Sequence, residues 1–388
     1  MKYFIVPADF KNQTIDKYIE LNNRYEDSKV IETYGQITIG NNLGSGRSLD
    51  LLPKIEYLDF ISYVHYSQQK GIAFNYTINA PHMNNREFTE NGIQEIKEFF
   101  DDLYNAGVHS LTIALPSLIE LVKSMGYNFK IKASVLCQIT NANKAMSYKR
   151  QGIDRIVLDE SLNRNFSEMK RIANAFGNGI EIIANAICYK DCSYRMFHYN
   201  QMAADSIKPI SETSTQYYSH RCVLQRYEEI SNIMKLCWVR PEDLKYYTSI
   251  GINYFKLQGR QAVLRGDPGR AVECYFRESY DGNLLELLDM FAPTNKFMVY
   301  VDNKKLDGFI KTFYEKENFC KNECTCCKYC ETFARKSIDY EEANKIIDLA
   351  KKFYNGYDKY INLIEQLKSK AGEEKEDDRI DVDFEFGG

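Results

Sequence analysis

The 388-residue sequence lacks the long apolar segments of membrane and secreted proteins. It contains no apolar run of about 18 residues, the length that a membrane-spanning helix needs, so we expect no membrane contact. Its first seven residues, MKYFIVP, lack the apolar run of a signal peptide, which predicts a cytoplasmic protein. The formal net charge is only −4, so we expect no strong global field that attracts nucleic acid.

Several well-known catalytic motifs are also missing. The sequence contains no Gly-x-Ser-x-Gly nucleophile elbow and no His-Glu-x-x-His zinc-protease motif. The glycine-rich segment Gly44–Ser48 lacks the Gly-Lys-Ser/Thr ending of a phosphate-binding loop. Serine-hydrolase, zinc-protease and phosphate-loop chemistry therefore find no support in the motifs.

Cysteine, in contrast, is abundant and unevenly distributed, with eleven residues in the chain. Because no secretion signal is present, free thiols and metal ligands are favoured over disulfides. Nine of the cysteines fall into two sets. The first set is Cys188, Cys192, Cys222 and Cys237, and the second is Cys320, Cys324, Cys326, Cys327 and Cys330.

Eight short strand-like runs, most of them apolar, alternate with segments of helical periodicity. The runs are Tyr3–Val6, Gln36–Ile39, Ala73–Ile78, Ser110–Leu115, Lys130–Leu136, Arg155–Leu158, Glu181–Ile187 and Asn253–Leu257. A glycine and an apolar residue precede several runs, as in Gly107-Val108, which is typical of a helix end that leads into a strand. The repetition predicts an α/β fold, a (β/α)8 TIM-like barrel. An open doubly wound sheet is the alternative.

The chain divides by pattern into three parts. Residues 1–265 carry the barrel pattern, residues 266–371 form a smaller α-rich, cysteine-rich module, and residues 372–388 are an acidic tail that we expect to be disordered. Within the module we predict helical segments at Arg270–Leu288 and Tyr340–Lys368 and one further strand at Lys296–Val301.

The first cysteine set predicts a metal centre beside the end of the seventh strand. Thiolate sulfur is a soft ligand that suits both iron–sulfur clusters and Zn²⁺. The spacing Cys188-x3-Cys192 differs from the paired Cys-x2-Cys of zinc ribbons. Bulky aromatic residues surround these cysteines in the sequence, as is common around clusters, so iron is favoured.

Three stretches carry a resemblance to a known family. Ser134–Asn141, continuing through Arg155–Glu160, is similar to that family's passage from its fifth to its sixth strand. Ala184–Cys192 resembles its cysteine-bearing turn, and Arg240–Arg260 resembles its most specific signature, which ends in Lys-(Ile/Leu)-x-Gly-Arg. The chain thus resembles the U32 family, the so-called collagenase-like peptidases, over roughly residues 1–290.

The resemblance implies a barrel that carries a [4Fe–4S] cluster on Cys188, Cys192, Cys222 and Cys237. It also implies oxygen-independent hydroxylation, which relatives perform on a quinone precursor or on RNA with prephenate as hydroxyl donor, whereas other relatives are labelled proteases. The sequence departs from the family in three respects. Cys188 and Cys192, separated by three residues, are closer together than expected for those relatives. Gln258 stands where Glu is usual, and Asp159 stands where Arg is common.

The second cysteine set predicts a second metal site. The register Cys320-x3-Cys324-x2-Cys327-x2-Cys330 resembles the compact loops that wrap ferredoxin-like clusters. Cys326 in place of Cys327 also gives four sulfurs, and a Zn(Cys)₄ site is an equal alternative to iron. Iron here would pass electrons toward the barrel, whereas zinc would fold the module.

Three residues are candidates for proton transfer. His198 lies near the cysteines and is a candidate acid or base, with a structural hydrogen-bonded histidine as the alternative. Glu160 follows the sixth strand and matches the family's glutamate, with helix capping or a salt bridge as the alternative role. His82 follows the third strand, where the barrel places active groups.

Three further residues are candidates for substrate binding. Arg47 and Arg260 are predicted to clamp a carboxylate in bidentate fashion, with a flexible loop and a structural ion pair as the alternative readings. Asn141 follows the fifth strand and is predicted to contact substrate at the same end of the barrel.

Three functions are consistent with these features. The first is an iron–sulfur enzyme that hydroxylates a small molecule, RNA or peptide and binds a small anionic donor or substrate. The second is a peptidase that acts in peptide or protein processing. The third is a non-catalytic iron–sulfur protein that transfers electrons or senses redox state. A homologous protein or an electron donor is the expected partner.

Overall fold

The computed structural model of the protein describes residues 1–41, 43–207, 217–356, 362–364 and 366–367. Eight parallel strands close into a barrel in sequence order, with the last strand hydrogen-bonded to the first. The strands are β1 (Lys2–Pro7), β2 (Ser28–Gly35), β3 (Ala73–Ile78), β4 (Ser110–Ile113), β5 (Lys130–Ala133), β6 (Arg155–Val157), β7 (Ile180–Ile183) and β8 (Tyr254–Lys256). The predicted (β/α)8 barrel is confirmed.

Helices connect the strands and cover the barrel. They are α1 (Asn12–Arg24), α2 (Tyr57–Gln69), α3 (Glu90–Asn105), α4 (Pro116–Ser124), α5 (Ala142–Arg150), α6 (Phe166–Phe176), α7 (Arg195–Ile207), α8 (Tyr217–Arg226) and α9 (Leu244–Thr248). Helix α3 shows why they pack: Ile96, Phe100 and Leu103 recur every three or four residues and are buried. Gly107 follows α3 with a φ of 83°, the left-handed conformation that ends a helix, as predicted.

The barrel interior carries a layer of buried charge where branched apolar residues are usual. Lys132 of β5 lies 2.5 Å from Glu32 of β2 and 2.8 Å from Glu181 of β7. Arg155 lies 3.6 Å from both carboxylates. Burial raises the pKa of Glu181, but Lys132 and the neighbouring cations more than offset this and lower it. Buried charges need such partners, so the layer links the strands across the barrel.

The second strand lies earlier in the sequence than we predicted. We expected Gln36–Ile39, whereas β2 spans Ser28–Gly35. The apolar-run criterion missed β2 because one of its buried side chains is Glu32, whose partner Lys132 lies 100 residues further along the chain. The other seven predicted strands are confirmed, several with earlier ends, such as β5, which gives way to a 3₁₀ turn at Val135–Cys137.

The chain continues after the barrel in five further helices within the described residues. They are α10 (Pro268–Phe276), α11 (Leu284–Asp289), α12 (Phe309–Glu315), α13 (Tyr329–Ser337) and α14 (Tyr340–Gly356). This region packs on the barrel through aromatic contacts: the rings of Phe276 and Phe4 lie 5.1 Å apart, and those of Phe309 and Trp238 lie 5.3 Å apart. The division at residue 265 stays a prediction.

Of the three elements predicted for this region, one is divided, one is absent and one is described only in part. The helical segment Arg270–Leu288 is two helices, because Glu278 and Gly282 adopt positive φ between them. The strand at Lys296–Val301 is wrong, since this segment is irregular and only the adjacent Asp302 forms an isolated bridge, to Asn283. Helix α14 begins as predicted, but the predicted end at residue 368 and the acidic tail 372–388 lie outside the described residues.

In the part of the chain that the structure describes, no helix combines the length and the hydropathy that crossing a bilayer needs.

Candidate functional site

A cationic pocket opens at the carboxyl ends of the barrel strands, where active sites of this fold are found. Residues from several strand ends line it, among them Tyr34, Arg47, Asn79, Glu160, Tyr199, Lys256 and Arg260. Two arginines and one lysine thus face the same space as one glutamate. The sequence prediction that Arg47, Arg260 and Glu160 belong to one end of the barrel agrees with this placement.

Arg260 is the most unusual charge in the pocket. It is buried, and its guanidinium donates to two neutral amide oxygens: Gln36 Oε1 at 2.8 Å and Asn79 Oδ1 at 3.3 Å. No carboxylate among the described residues pairs with it within 4 Å. Burial and the nearby Arg47 lower the pKa of Arg260 to about 10. The structural ion pair that we considered for Arg260 is therefore not present in the described part of the chain.

Lys256 lies at the end of β8, below Arg260. Its ammonium group is 4.0 Å from Glu181 of the interior charge layer and 3.9 Å from the centre of the Tyr34 ring. Burial lowers the pKa of Lys256 to about 7, and the attraction of Glu181 only partly opposes this effect. The lysine therefore changes its charge near neutral pH at the base of the pocket.

Arg47 lies on the long loop after β2. Its side chain donates to the carbonyl of Gly46 at 2.8 Å and contacts Met202 Sδ at 3.7 Å on α7. The loop is itself fixed, because the hydroxyl of Ser45 donates to Gln36 Oε1 at 2.6 Å and its backbone N–H donates to Ser206 Oγ at 2.8 Å. The segment around Arg47 is thus held against α7, in contrast to the flexible loop that we considered.

The first cysteine set gathers beside this pocket. The chain after β7 pairs with the segment before α9, since Val239 N–H donates to Ala184 O at 2.7 Å and Cys237 N–H donates to Cys188 O at 3.0 Å. This pairing places Cys188 and Cys237 side by side. Helix α8 brings in Cys222, which lines one small cavity of about 30 Å³ together with Cys188 and Cys192. Four thiols from three separate segments of the chain therefore lie close together.

The chemistry of this donor set fits a four-thiolate centre. All four cysteines are free thiols. Desolvation and the nearby Glu160 carboxylate raise the pKa of Cys188 well above its usual value, and burial raises the pKa of Cys237 to about 12. A bound cation would supply the charge that stabilises the thiolate forms. Within the described residues no three His, Cys, Asp or Glu side chains are placed to hold one ion, so binding requires side chains to turn.

Glu160 and Tyr199 lie between the cysteine site and the cationic pocket. Both line the pocket. The Cys188 thiol lies 3.8 Å from Glu160 Oε1, and the Tyr199 hydroxyl donates to the same oxygen at 3.4 Å. Burial raises the pKa of Glu160, although Arg195, 3.7 Å away, opposes this effect. The two sites therefore adjoin through one carboxylate and one phenol.

The remaining predicted residues lie outside the cationic pocket. His198 lines the cysteine cavity, where its Nε2 lies 3.1 Å from Ser219 Oγ and burial lowers its pKa to about 4. His82 is half-buried, with Nε2 3.3 Å from the carbonyl of Asn200 on α7. Asn141 is exposed and caps α5, accepting a hydrogen bond from Lys144 N–H at 2.9 Å. Their predicted functional roles stay predictions.

Two residues of the site were not singled out from the sequence. Lys256 belongs to the signature at Arg240–Arg260, of which only Arg260 was predicted to bind substrate. A lysine within an apolar strand is rare, and this alone could have marked Lys256 as a candidate functional residue. Tyr199 was counted only among the aromatic residues around the cysteines. Nothing in the local sequence of α7 distinguishes it from other tyrosines, because its contact with Glu160 depends on the folded barrel.

The second cysteine set lines a separate, larger cleft. Cys320, Cys324, Cys327 and Cys330 face a space of about 370 Å³. Tyr189, the residue that follows Cys188, also lines this cleft. The two cysteine sets are therefore neighbours in space.

The chain is similar to several known proteins. The model of peptidase family U32 matches residues 55–275, more than half of the chain. A curated relative named "Uncharacterized protease MJ1657", from Methanocaldococcus jannaschii, is 30% identical over 337 residues, which cover 86% of this chain and 97% of the relative. A solved structure described as the U32 peptidase Mk0906 is 18% identical, covers 69% of this chain and 94% of that chain, and has a TM-score of 0.49.

The matched residues include the first cysteine set and most of the cationic pocket, and they end before the second cysteine set. On the extent of the family match and of the curated relative, this chain belongs to peptidase family U32.

Proposed function

We propose that the protein is an iron–sulfur enzyme that carries out an oxygen-independent redox modification, a hydroxylation, with the help of a small anionic donor or substrate. The observation that carries the proposal is the shared wall between the two sites. Glu160 contacts Cys188 on one side and lines the cationic pocket on the other. A cluster beside this wall would lie within reach of a molecule bound in the pocket.

The pocket supports an anionic ligand. Arg260 is buried without a carboxylate partner in the described chain, and such a charge is costly unless a ligand completes its hydrogen bonds. Its guanidinium presents the planar fork that binds a carboxylate through two hydrogen bonds. Lys256 below and Arg47 above add positive charge to the same space. A dicarboxylate would meet two of these groups at once.

The cluster would supply electron transfer. Introducing a hydroxyl group that derives from a donor or from water removes two electrons from the substrate, and these electrons must leave for an external acceptor. The protein's own groups would hold and orient the reactants. Arg260 and Arg47 would bind the anion, and Tyr199 would contact the side of the substrate nearest to the cysteines. Glu160 is the candidate for holding a proton between the two sites, in place of His82, which does not line the pocket.

A peptidase is the second candidate, since the curated relative is named a protease and the family is described as peptidases. Ser134 lines the pocket and is the hydroxyl to examine for this activity. Its Oγ accepts a hydrogen bond from Leu136 N–H at 3.2 Å. Peptide cleavage needs no electron acceptor, so the two candidates differ in their dependence on redox input.

The proposal is tested on protein purified anaerobically, with iron, sulfide and zinc measured per chain. Cys188→Ser is expected to lose about four irons and four sulfides, the content of one [4Fe–4S] cluster. Cys274→Ala is the matched control, because Cys274 is a free thiol on α10 outside both sets. Prephenate binding is measured on the same samples by calorimetry.

Activity is measured by mass spectrometry as the gain of one oxygen in a quinone precursor or in RNA, with prephenate present and oxygen excluded. Fluorogenic peptides are assayed in parallel without any electron acceptor. Zinc alone in the wild type, unchanged by Cys188→Ser, would refute the proposal. Peptide cleavage that survives Cys188→Ser and is lost in Ser134→Ala would establish the peptidase instead.

A further inference from the structure

A second metal centre is indicated by the cleft that the C-terminal cysteines line, a region beyond the residues that the family model matches. We propose that Cys320, Cys324, Cys327 and Cys330 bind an iron–sulfur cluster in this cleft. We further infer that this cluster is the exit by which electrons leave the barrel centre. The first part stands on the cleft itself, and the second part rests on the proposed function.

The fold selects four of the five thiols. The cleft is lined by Cys320, Cys324, Cys327 and Cys330 and not by Cys326. A tight turn explains the selection, since the backbone N–H groups of Cys326 and Cys327 both donate to the carbonyl of Glu323, at 3.2 and 3.1 Å. The turn keeps Cys324 and Cys327 toward the cleft. The sequence alone left Cys326 and Cys327 as equal alternatives.

The rest of the loop is arranged around the same space. Cys330 lies in the first turn of α13, so this helix fixes one outer thiol, whereas Cys320 lies in irregular chain five residues after the end of α12. Three aromatic rings form the base of the loop: those of Phe319 and Tyr329 lie 4.9 Å apart, and those of Phe313 and Phe319 lie 5.2 Å apart. Such an apolar base shields a cluster from water on one side.

The spacing of the thiols favours a cluster over a single ion, since Cys324-x2-Cys327-x2-Cys330 matches the Cys-x2-Cys-x2-Cys run of ferredoxin-type loops. The cleft that the four cysteines line together with other residues has a volume of about 370 Å³, which leaves room for a cluster. Thiolate sulfur also needs nearby positive charge, and Lys190 supplies it directly, with Nζ 3.8 Å from Cys320 Sγ.

The connection to the barrel site runs through two consecutive residues. Tyr189 and Lys190 lie between Cys188 and Cys192 of the first set. Tyr189 lines the cleft of the second set, and Lys190 contacts Cys320 and also donates to Asn322 Oδ1 at 2.6 Å. The two cysteine sets therefore share one turn of backbone. With both centres filled, each electron that moves along it would oxidise the barrel centre by one unit and reduce the second centre by one unit, so the two electrons of a hydroxylation would leave in two such transfers.

The second centre also has access to the surface. Cys320, Cys324 and Cys327 are exposed, so an external one-electron acceptor, such as a small electron-carrier protein or a dye, can reach it directly. The barrel cysteines are half-buried or buried. A cluster bound there would thus return to its oxidised state by giving its electron to that acceptor.

The test compares Cys320→Ser/Cys324→Ser with Cys326→Ser in the full-length protein, purified without oxygen. Both variants change exposed loop thiols, so neither removes core packing, and thermal unfolding confirms that each is folded. The double variant is expected to lose about four irons and four sulfides while Cys326→Ser keeps them all. Unchanged iron in the double variant, or zinc in place of iron in the wild type, would overturn the second cluster.

The same samples separate this inference from the proposed function. Iron that is lost with Cys320→Ser/Cys324→Ser but kept in Cys188→Ser establishes the second cluster even if the barrel holds none. The exit role is tested by reducing each protein fully and mixing it with an oxidised one-electron dye in a stopped-flow instrument. Reoxidation of the barrel cluster is expected to be slower in the double variant than in Cys326→Ser, and equal rates would refute the exit.

Discussion

Replacing Arg260 by methionine is expected to weaken anion binding without destabilising the fold. Methionine is similar in length and apolar, so it fills the buried site without a charge. The reasoning depends on the partners of Arg260, which are two amide oxygens and no described carboxylate. Both oxygens keep another donor after the change: Gln36 Oε1 accepts from Ser45 Oγ, and Asn79 Oδ1 accepts from Gly46 N–H.

The expected magnitude follows from the cost of the buried charge. A decrease in the pKa of Arg260 from the usual range of arginine to about 10 means that the folded protein destabilises the charged guanidinium, relative to the neutral one, by roughly 3 kcal/mol. At pH 7 the guanidinium is charged in both the folded and the unfolded chain, so the folded protein carries this whole cost. The free energy of unfolding of Arg260→Met should therefore equal or exceed that of the wild type. A lost charge-assisted hydrogen bond to a ligand, about 1.5–3 kcal/mol, should weaken Kd roughly 10- to 150-fold.

Arg240 provides the matched control, because it is equally buried but fully paired. It donates to both carboxylate oxygens of Asp243, at 2.8 and 3.1 Å, and to Asp307 at 3.0 Å. Removing one partner of such a buried pair is expected to cost about 3–5 kcal/mol of stability. Arg240→Met should thus unfold more easily than the wild type, in contrast to Arg260→Met.

The assay is thermal and urea unfolding of anaerobically purified protein, with and without prephenate or malonate. An anion that binds only the folded state raises stability in proportion to the logarithm of its concentration. The wild type should show this increase and Arg260→Met should not. A loss of stability of several kcal/mol in Arg260→Met, with the anion effect retained, would mean that Arg260 is structural and would refute the reasoning.

Three further predictions concern single residues. Anion affinity should fall as pH rises through about 7, because Lys256 loses its proton there, and the fall should disappear in Lys256→Met; an unchanged pH profile in calorimetry would contradict this role. Glu181→Gln should lower the free energy of unfolding in urea by about 3–5 kcal/mol, because it removes one of the buried carboxylates that pair with Lys132. A loss below about 1 kcal/mol would show that the buried charges of the layer do not stabilise one another. Asn141→Ala should cost about 1 kcal/mol through loss of the α5 cap while prephenate affinity stays the same, and weakened binding would restore its predicted substrate role.

The barrel could be predicted because its signals are local. Alternating strands and helices, and a glycine such as Gly107 at a helix end, depend on near neighbours in sequence. The position of Arg260 at the mouth followed from the same pattern, since it comes directly after the last strand. In this fold the strand order alone fixes which chain segments meet at one end.

The parts that could not be predicted depend on distant pairs. Strand β2 was misplaced because Glu32 reads as a surface residue until Lys132 is placed beside it. Likewise, the burial of His198 beside α8, which lowers its pKa to about 4, could not be read from the sequence, and its role in proton transfer stays a prediction. In both cases the burial of a polar group depends on tertiary contacts that periodicity does not report.

The buried cations of the barrel form a series that ends at the pocket. Lys132 lies deepest and contacts two carboxylates, Glu32 and Glu181. Lys256 lies nearer to the mouth and has one carboxylate partner within the described residues, Glu181, at 4.0 Å. Arg260, at the mouth, has no carboxylate partner in the described chain. The number of carboxylate partners of each cation, within the described residues, therefore decreases toward the pocket from two to one to none. A bound carboxylate would pair with Arg260, for which the described chain provides no acid. The net charge of −4 would not prevent such binding, because the local arrangement of buried charges would outweigh the overall balance.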